Sequence, residues 1–168
     1  MRFIPLLIIL TISSCFGLYI LSSVTEFEKR HFEFVSLVYL TFLGMILFTP
    51  LSFDGTAVYM MQAGFGRVNL HQLNILELGF FENIVLTIPL GFLIKKYFNN
   101  LSIASTAFFG FFIGGAIETT QYVLSHIFLI NRTSDINDVI ANALGIVIGD
   151  ILMVVYSYLS HRSVVESK

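Results

Sequence analysis

The sequence predicts an all-α fold, a polytopic membrane bundle of about five transmembrane helices with an outward loop between the second and third. Three observations predict it. Of 168 residues, 56% are hydrophobic and only 12% are charged, about half the charged share usual in soluble proteins. Mean hydropathy is +0.85. The apolar residues fall into runs near the ~20 residues needed to cross a bilayer, without the alternation of membrane strands. A soluble enzyme, a disordered chain and a coiled coil are excluded, and residues 1–168 read as a single membrane domain.

The first span, Phe3 to Val24, begins after Met1-Arg2 and carries Ile12-Ser13-Ser14-Cys15, which resembles a lipoprotein cleavage box. The chain stays apolar beyond Cys15, so the segment is read as a retained helix. Cys15 is the only cysteine, which leaves no intramolecular disulfide and no thiolate metal site. The second span, Phe34 to Thr49, is the shortest and stops at Pro50. The connection from Leu51 to Glu77 holds Asp54, Gly55, Gly64, Gly66, Arg67, Asn69, His71, Gln72 and Asn74. Its length is that of a functional or interfacial loop, or of a mobile one lying on the headgroups. The third span, Leu78 to Ile94, contains Pro89, which removes one helical bond and should bend the helix. The fourth runs from Ile103 to His126 and the fifth from Val139 to Leu159.

Alternation of spans places Arg2, Arg67 and Arg132 on one side and Lys29, Arg30, Lys95, Lys96, Arg162 and Lys168 on the other. The basic excess marks the cytoplasmic side, so the N-terminus is expected outside and the C-terminus inside. No basic cluster exists to grip nucleic acid.

The informative residues are the polar ones inside apolar spans. Glu82 and Asn83 lie near the start of the third span, and Glu118 and Gln121 toward the end of the fourth. Arg132, Asp135, Asp138 and Asn142 lie at or just before the start of the fifth. Topology brings these groups into one leaflet, the outer one under the charge rule. On the fourth helix Gly110, Gly114, Glu118 and Gln121 fall within ~80°, and on the fifth Asp138, Ala141, Asn142, Gly145 and Gly149 fall within ~100°. The small residues read as seams where helices approach closely.

An acidic residue at mid-bilayer costs ~2.5–3.5 kcal/mol on insertion scales. Glu118 should therefore be paired, protonated or facing water, with Arg132 as its expected charge partner and Gln121 and Asn142 as hydrogen-bond partners. The cluster reads either as a ligand site or as a polar clamp between helices. Asp150 reads as a polar tie in the cytoplasmic half. No nucleotide loop, zinc-protease helix or nucleophile elbow occurs. Asp135 and Asp138 are too few carboxylates to specify a metal, so no metal or cofactor is predicted.

Three blocks resemble the VanZ-like membrane protein family. They are Val68-Asn69-Leu70; the helix Asn83-Ile84-Val85-Leu86-Thr87-Ile88-Pro89-Leu90-Gly91-Phe92-Leu93; and Glu118-x-x-Gln121 followed by Arg132, Asp135, Asp138, Asn142 and Gly145. The resemblance covers about Asn69 to Gly149. His71-Gln72 stands where the family usually has Pro-Phe, and Thr87 where it usually has Phe. The family's namesake is associated with resistance to the glycopeptide teicoplanin, by a route that does not remake the peptidoglycan precursor. The resemblance implies a multi-pass protein of the bacterial plasma membrane, concerned with the cell envelope.

Two functions fit. In the first, the protein binds or modulates an envelope lipid or lipid-linked cell-wall precursor at the outer leaflet. Asn83, Glu118, Gln121, Arg132, Asp135, Asp138 and Asn142 then form the binding site, with Arg132 meeting phosphate. In the second it is an intramembrane enzyme on such a lipid, with Glu118 or Asp138 as general acid or base.

Overall fold

The computed structural model describes residues 1–53 and 56–166, so Asp54, Gly55 and Lys168 of the sequence analysis lie outside the described residues. The helices are α1 (Ile4–Ser23), α2 (Phe27–Phe48), α3 (Leu78–Tyr97), α4 (Ile103–Phe128) and α5 (Ile136–Glu166). All five are long and apolar enough to cross a membrane, and the protein is a multi-pass helical membrane protein. Among the described residues four short strands accompany them: β1 (Leu51–Phe53), β2 (Val58–Met60), β3 (Val68–Asn69) and β4 (Ser134–Asp135). β1 pairs antiparallel with β2, and β3 pairs with β4.

Two helices begin earlier than their apolar runs. α2 starts at Phe27 rather than Phe34, taking in Glu28, Lys29, Arg30, His31 and Glu33. Charge does not end a helix that has left the hydrocarbon, and Glu28 in the first turn suits the positive end of the helix dipole. α5 starts at Ile136 rather than Val139, because the Asp135 carboxylate accepts the Asn137 backbone N–H at 2.8 Å and caps the first turn. α3 continues through Pro89 without interruption.

The chain divides into two compact units. One comprises Met1–Val68 and Thr119–Ser134, the other Asn69–Glu118 and the chain from Asp135 onward. α4 therefore contributes its residues up to Glu118 to one unit and the rest to the other.

In the first unit α1 and α2 lie antiparallel. Thr41 Oγ1 donates to Ser13 Oγ at 2.7 Å, Gly17 faces Leu37 and Phe34, and Gly44 faces Ile9. Arg2 ties the start of the chain down by donating to the carbonyls of Leu129 (2.9 Å) and Met61 (2.7 Å). The segment around Gly64 to Arg67 runs beside the end of α4. Gly64 bridges Ile130 in parallel, Asn131 N–H donates to Gly64 O at 3.1 Å, and Ser134 N–H to Arg67 O at 2.8 Å. Gly66, at φ 74°, sits so close to the Arg132 carbonyl that any Cβ would collide with it.

In the second unit α3 and α5 run parallel in a fixed register. Thr87, Gly91 and Lys95 of α3 meet Asn142, Ile146 and Asp150 of α5, each set spaced by four residues. Glycine makes this approach possible: a Cβ on Gly91 would strike the Ile146 carbonyl, and one on Gly149 the Ile88 carbonyl. α4 lies antiparallel on another face of α5. A Cβ on Gly110 would stand 3.2 Å from Ala143 Cα, and one on Gly114 2.8 Å from Val139 O. The small-residue seams thus join helices within one chain. Gly110 and Gly114 serve the α4–α5 contact, whereas Gly145 and Gly149 serve α3 rather than α4.

Candidate functional site

The seven residues singled out by sequence fall into two groups. Gln121 and Arg132 belong to the first unit, and Asn83, Glu118, Asp135, Asp138 and Asn142 to the second.

In the first unit both side chains serve the end of α2, where Pro50 halts the helix and leaves carbonyls without intrahelical donors. Gln121 Nε2 donates to Leu47 O at 3.0 Å. The Arg132 guanidinium donates to the carbonyls of Ile46, Thr49 and Leu51. Ser125 locks the backbone that carries it, since Arg132 N–H donates to Ser125 Oγ at 2.9 Å. This geometry makes Arg132 a cap for α2, a planar donor set matched to a helix C-terminus.

In the second unit the starts of α3 and α5 lie side by side, and α4 reaches them at Glu118. Glu118 is buried on a membrane helix (7% exposed), and its Oε2 accepts the Asp135 N–H at 2.9 Å. Asp135 in turn is filled by neighbours. Asn69 Nδ2 donates to both of its oxygens, and Asn137 Nδ2 donates to Oδ1 at 2.7 Å beside the capping bond. Asn137 also donates to Gln72 O (2.8 Å) and accepts the Asn74 N–H (2.9 Å). Asp135 is thereby the centre of a latch that holds the Asn69–Asn74 segment to the start of α5.

Asn142 lies about two turns further into α5 and is fully buried (0% exposed). Its backbone carbonyl accepts from Thr87 Oγ1 at 3.2 Å, yet no group among the described residues hydrogen-bonds either end of its amide. A buried amide in that condition carries a penalty of ~1–3 kcal/mol for each unmatched group. Asp138 occupies the first turn of α5, and Asn83 is half-buried on α3. Among the described residues no cluster of three or more His, Cys, Asp or Glu could hold a metal ion. The arrangement offers a buried carboxylate beside a buried amide whose two ends have no hydrogen-bond partner among the described residues, which is chemistry for recognising a neutral polar group or for moving a proton.

Sequence reasoning did not single out Asn137, Ser125 or Thr87 as parts of this architecture. Asn137 had a signal: it stands two residues after Asp135, the spacing at which an Asp side chain accepts a backbone N–H. Thr87 had one only as a departure from the family's usual Phe, and Ser125 had none, because hydroxyl groups within apolar helices ordinarily bond their own turn.

The fold and this site define a class, a multi-pass helical membrane protein with a buried polar cluster where three helices meet. The model of the VanZ/LLP1 family matches residues 3–157, and the chain belongs to that family. The match extends well beyond the 69–149 stretch that carries the motifs. Comparison with curated proteins and with solved structures found no match.

Proposed function

We propose that this VanZ/LLP1-family protein binds or modulates an envelope lipid or lipid-linked cell-wall precursor in the outer leaflet of the bacterial plasma membrane, lowering susceptibility to glycopeptides such as teicoplanin. The observation that carries this reading is the pair of buried polar groups in the second unit, Glu118 at 7% exposure and Asn142 at 0% with its amide unmatched. An ionisable residue buried in a membrane helix is by default a functional-site candidate, and the Asn142 amide beside it has hydrogen bonds to give a ligand. On this reading Asn83, Glu118, Asp138 and Asn142 meet the head group. Asp135, Gln121 and Arg132 hold the surrounding backbone in place. The N-terminus lies outside and the C-terminus in the cytoplasm.

The test is native mass spectrometry of the protein released from membrane nanodiscs, alongside teicoplanin susceptibility of cells expressing it. The expected result is a co-purifying polyprenyl-linked species that is lost in Glu118→Gln and Asn142→Ala, with susceptibility restored in both. Folded variants that keep both the lipid and the phenotype overturn the reading. Turnover of the lipid by purified protein, abolished in Glu118→Gln, replaces it with intramembrane catalysis.

A further inference from the structure

The second unit holds another polar group that the outer cluster does not use. Asp150 is fully buried, about 21 Å along α5 from Ile136 at 1.5 Å per residue. Its partner is Lys95, whose ammonium stands 3.6 Å from Oδ1. That separation is too long for a hydrogen bond, and neither carboxylate oxygen has a hydrogen-bond partner among the described residues. Lys95 instead donates to the Leu101 carbonyl in the α3–α4 connection. Thr106 is also buried (1% exposed), with its hydroxyl unmatched. Thr106 shares the α4 stripe of Gly110 and Gly114. Continuing their antiparallel register on Ala143 and Val139 brings Thr106 opposite the turn of α5 that ends at Asp150. The unmatched groups therefore gather at one level of the three-helix seam.

The chemistry selects the occupant. The ion pair is neutral as a whole, so neither a cation nor an anion balances it. The carboxylate needs donors, the ammonium has donors to spare, and the hydroxyl needs both roles. Protonating Asp150 leaves the second oxygen unmatched all the same. A small neutral molecule that both donates and accepts satisfies all three groups, and water is the one that fits between helices packed this closely. We infer that Lys95, Asp150 and Thr106 hold bound water, a hydrated site at the inner level of the bundle. The packed layer of Gly91 against Ile146, one turn away on each helix, separates it from Asn142. Lys95, at 13% side-chain exposure beside the α3–α4 connection, is its route to solvent.

The experiment is infrared spectroscopy of the protein in lipid, with carboxyl-13C-aspartate and exchange from H2O into D2O and H2 18O. The Asp150 band is assigned by its loss in Asp150→Asn or, should that variant misfold, in the Lys95→Met/Asp150→Leu pair. The expected result is an Asp150 band that shifts within minutes of exchange, together with a bound-water stretch sensitive to 18O. That water band disappears in Thr106→Val while the fold is retained. An Asp150 band unmoved after hours overturns the inference. So does a high-resolution structure in which Lys95 and Thr106 close directly on the carboxylate.

Discussion

Asn69 Nδ2 bridges both carboxylate oxygens of Asp135, at 3.0 and 3.1 Å, and so fastens β3 to the residue that caps α5. The contact joins the loop before α3 to the start of α5, sixty-six positions apart in sequence. Asp135 thereby acts as structural support for the neighbouring Glu118, whose Oε2 its own backbone N–H holds.

Asp135→Ala should therefore cost stability before it costs recognition. It removes the α5 cap, worth ~1 kcal/mol, and leaves Asn69 and Asn137 donors unmatched at ~1–3 kcal/mol each where buried. Thermal unfolding in lipid should fall markedly for Asp135→Ala and less for Asn69→Ala. The double variant should lose less than the sum of the two single variants, because Asp135 and Asn69 share one contact while Asn69 also accepts the backbone N–H groups of His71 and Gln72 on its own account. Strictly additive losses would refute the latch.

Arg132→Lys should destabilise the first unit even though charge is retained. An ammonium is a point donor and cannot span the carbonyls of Ile46, Thr49 and Leu51 as the guanidinium does. The expected outcome is a lowered unfolding temperature and faster proteolysis near Pro50, with Arg132→Ala worse. Arg132→Lys that leaves stability intact while abolishing lipid binding would instead make Arg132 a phosphate ligand.

The glycines of α3 and α5 differ in the room they leave for a side chain. A Cβ on Gly149 would drive into the Ile88 carbonyl, whereas one on Gly79 meets nothing within 4 Å. Gly149→Ala should abolish accumulation of folded protein in the membrane. Gly79→Ala, near the start of α3, should be neutral or slightly stabilising, since alanine is the better helix former by ~1 kcal/mol. Equal expression and equal unfolding temperature for the two variants would contradict the α3–α5 packing.

Much of this was legible in the sequence because membrane solvent leaves few options. Apolar runs of sufficient length must be helices, and each of the five spans lies in a helix, although α2 begins seven residues before its apolar run and α5 ends seven residues after it. The start of α5 was not legible, because Asp135 and Asn137 extend the helix beyond its apolar run by capping. The partner of the Gly145/Gly149 seam was not legible either. Periodicity reports which residues share a helix face, but not which helix meets that face. The polar residues at Glu118, Asp135 and Asn142 were legible as exceptions to an apolar background. Their division of labour needed side-chain geometry: Asp135 is saturated by neighbours whereas the Asn142 amide is not.

The loop before α3 carries the last expectation. Asn69, Gln72 and Asn74 direct polar groups to Asp135 and Asn137. Leu70, Leu73, Ile75 and Leu76 are left exposed, Leu76 at 88%. The segment is two-faced, with its polar side satisfied internally and its apolar side bare. It continues without a break into Leu78 and Phe81, exposed residues on the membrane-spanning helix α3. Exposed leucines contiguous with a lipid-facing helix belong in lipid, since each side chain gains ~1.5–3 kcal/mol on leaving water. Spin labels placed by cysteine substitution at Leu73 and Leu76, in a Cys15→Ser background, should be more accessible to membrane-dissolved oxygen than to an aqueous nickel chelate. Leu76→Lys should raise aqueous accessibility across Leu70–Leu76 while leaving the unfolding temperature nearly unchanged, because the polar latch does not depend on the leucines. Labels at Leu73 and Leu76 that respond to the chelate alone would put this face in water and remove the loop from the bilayer.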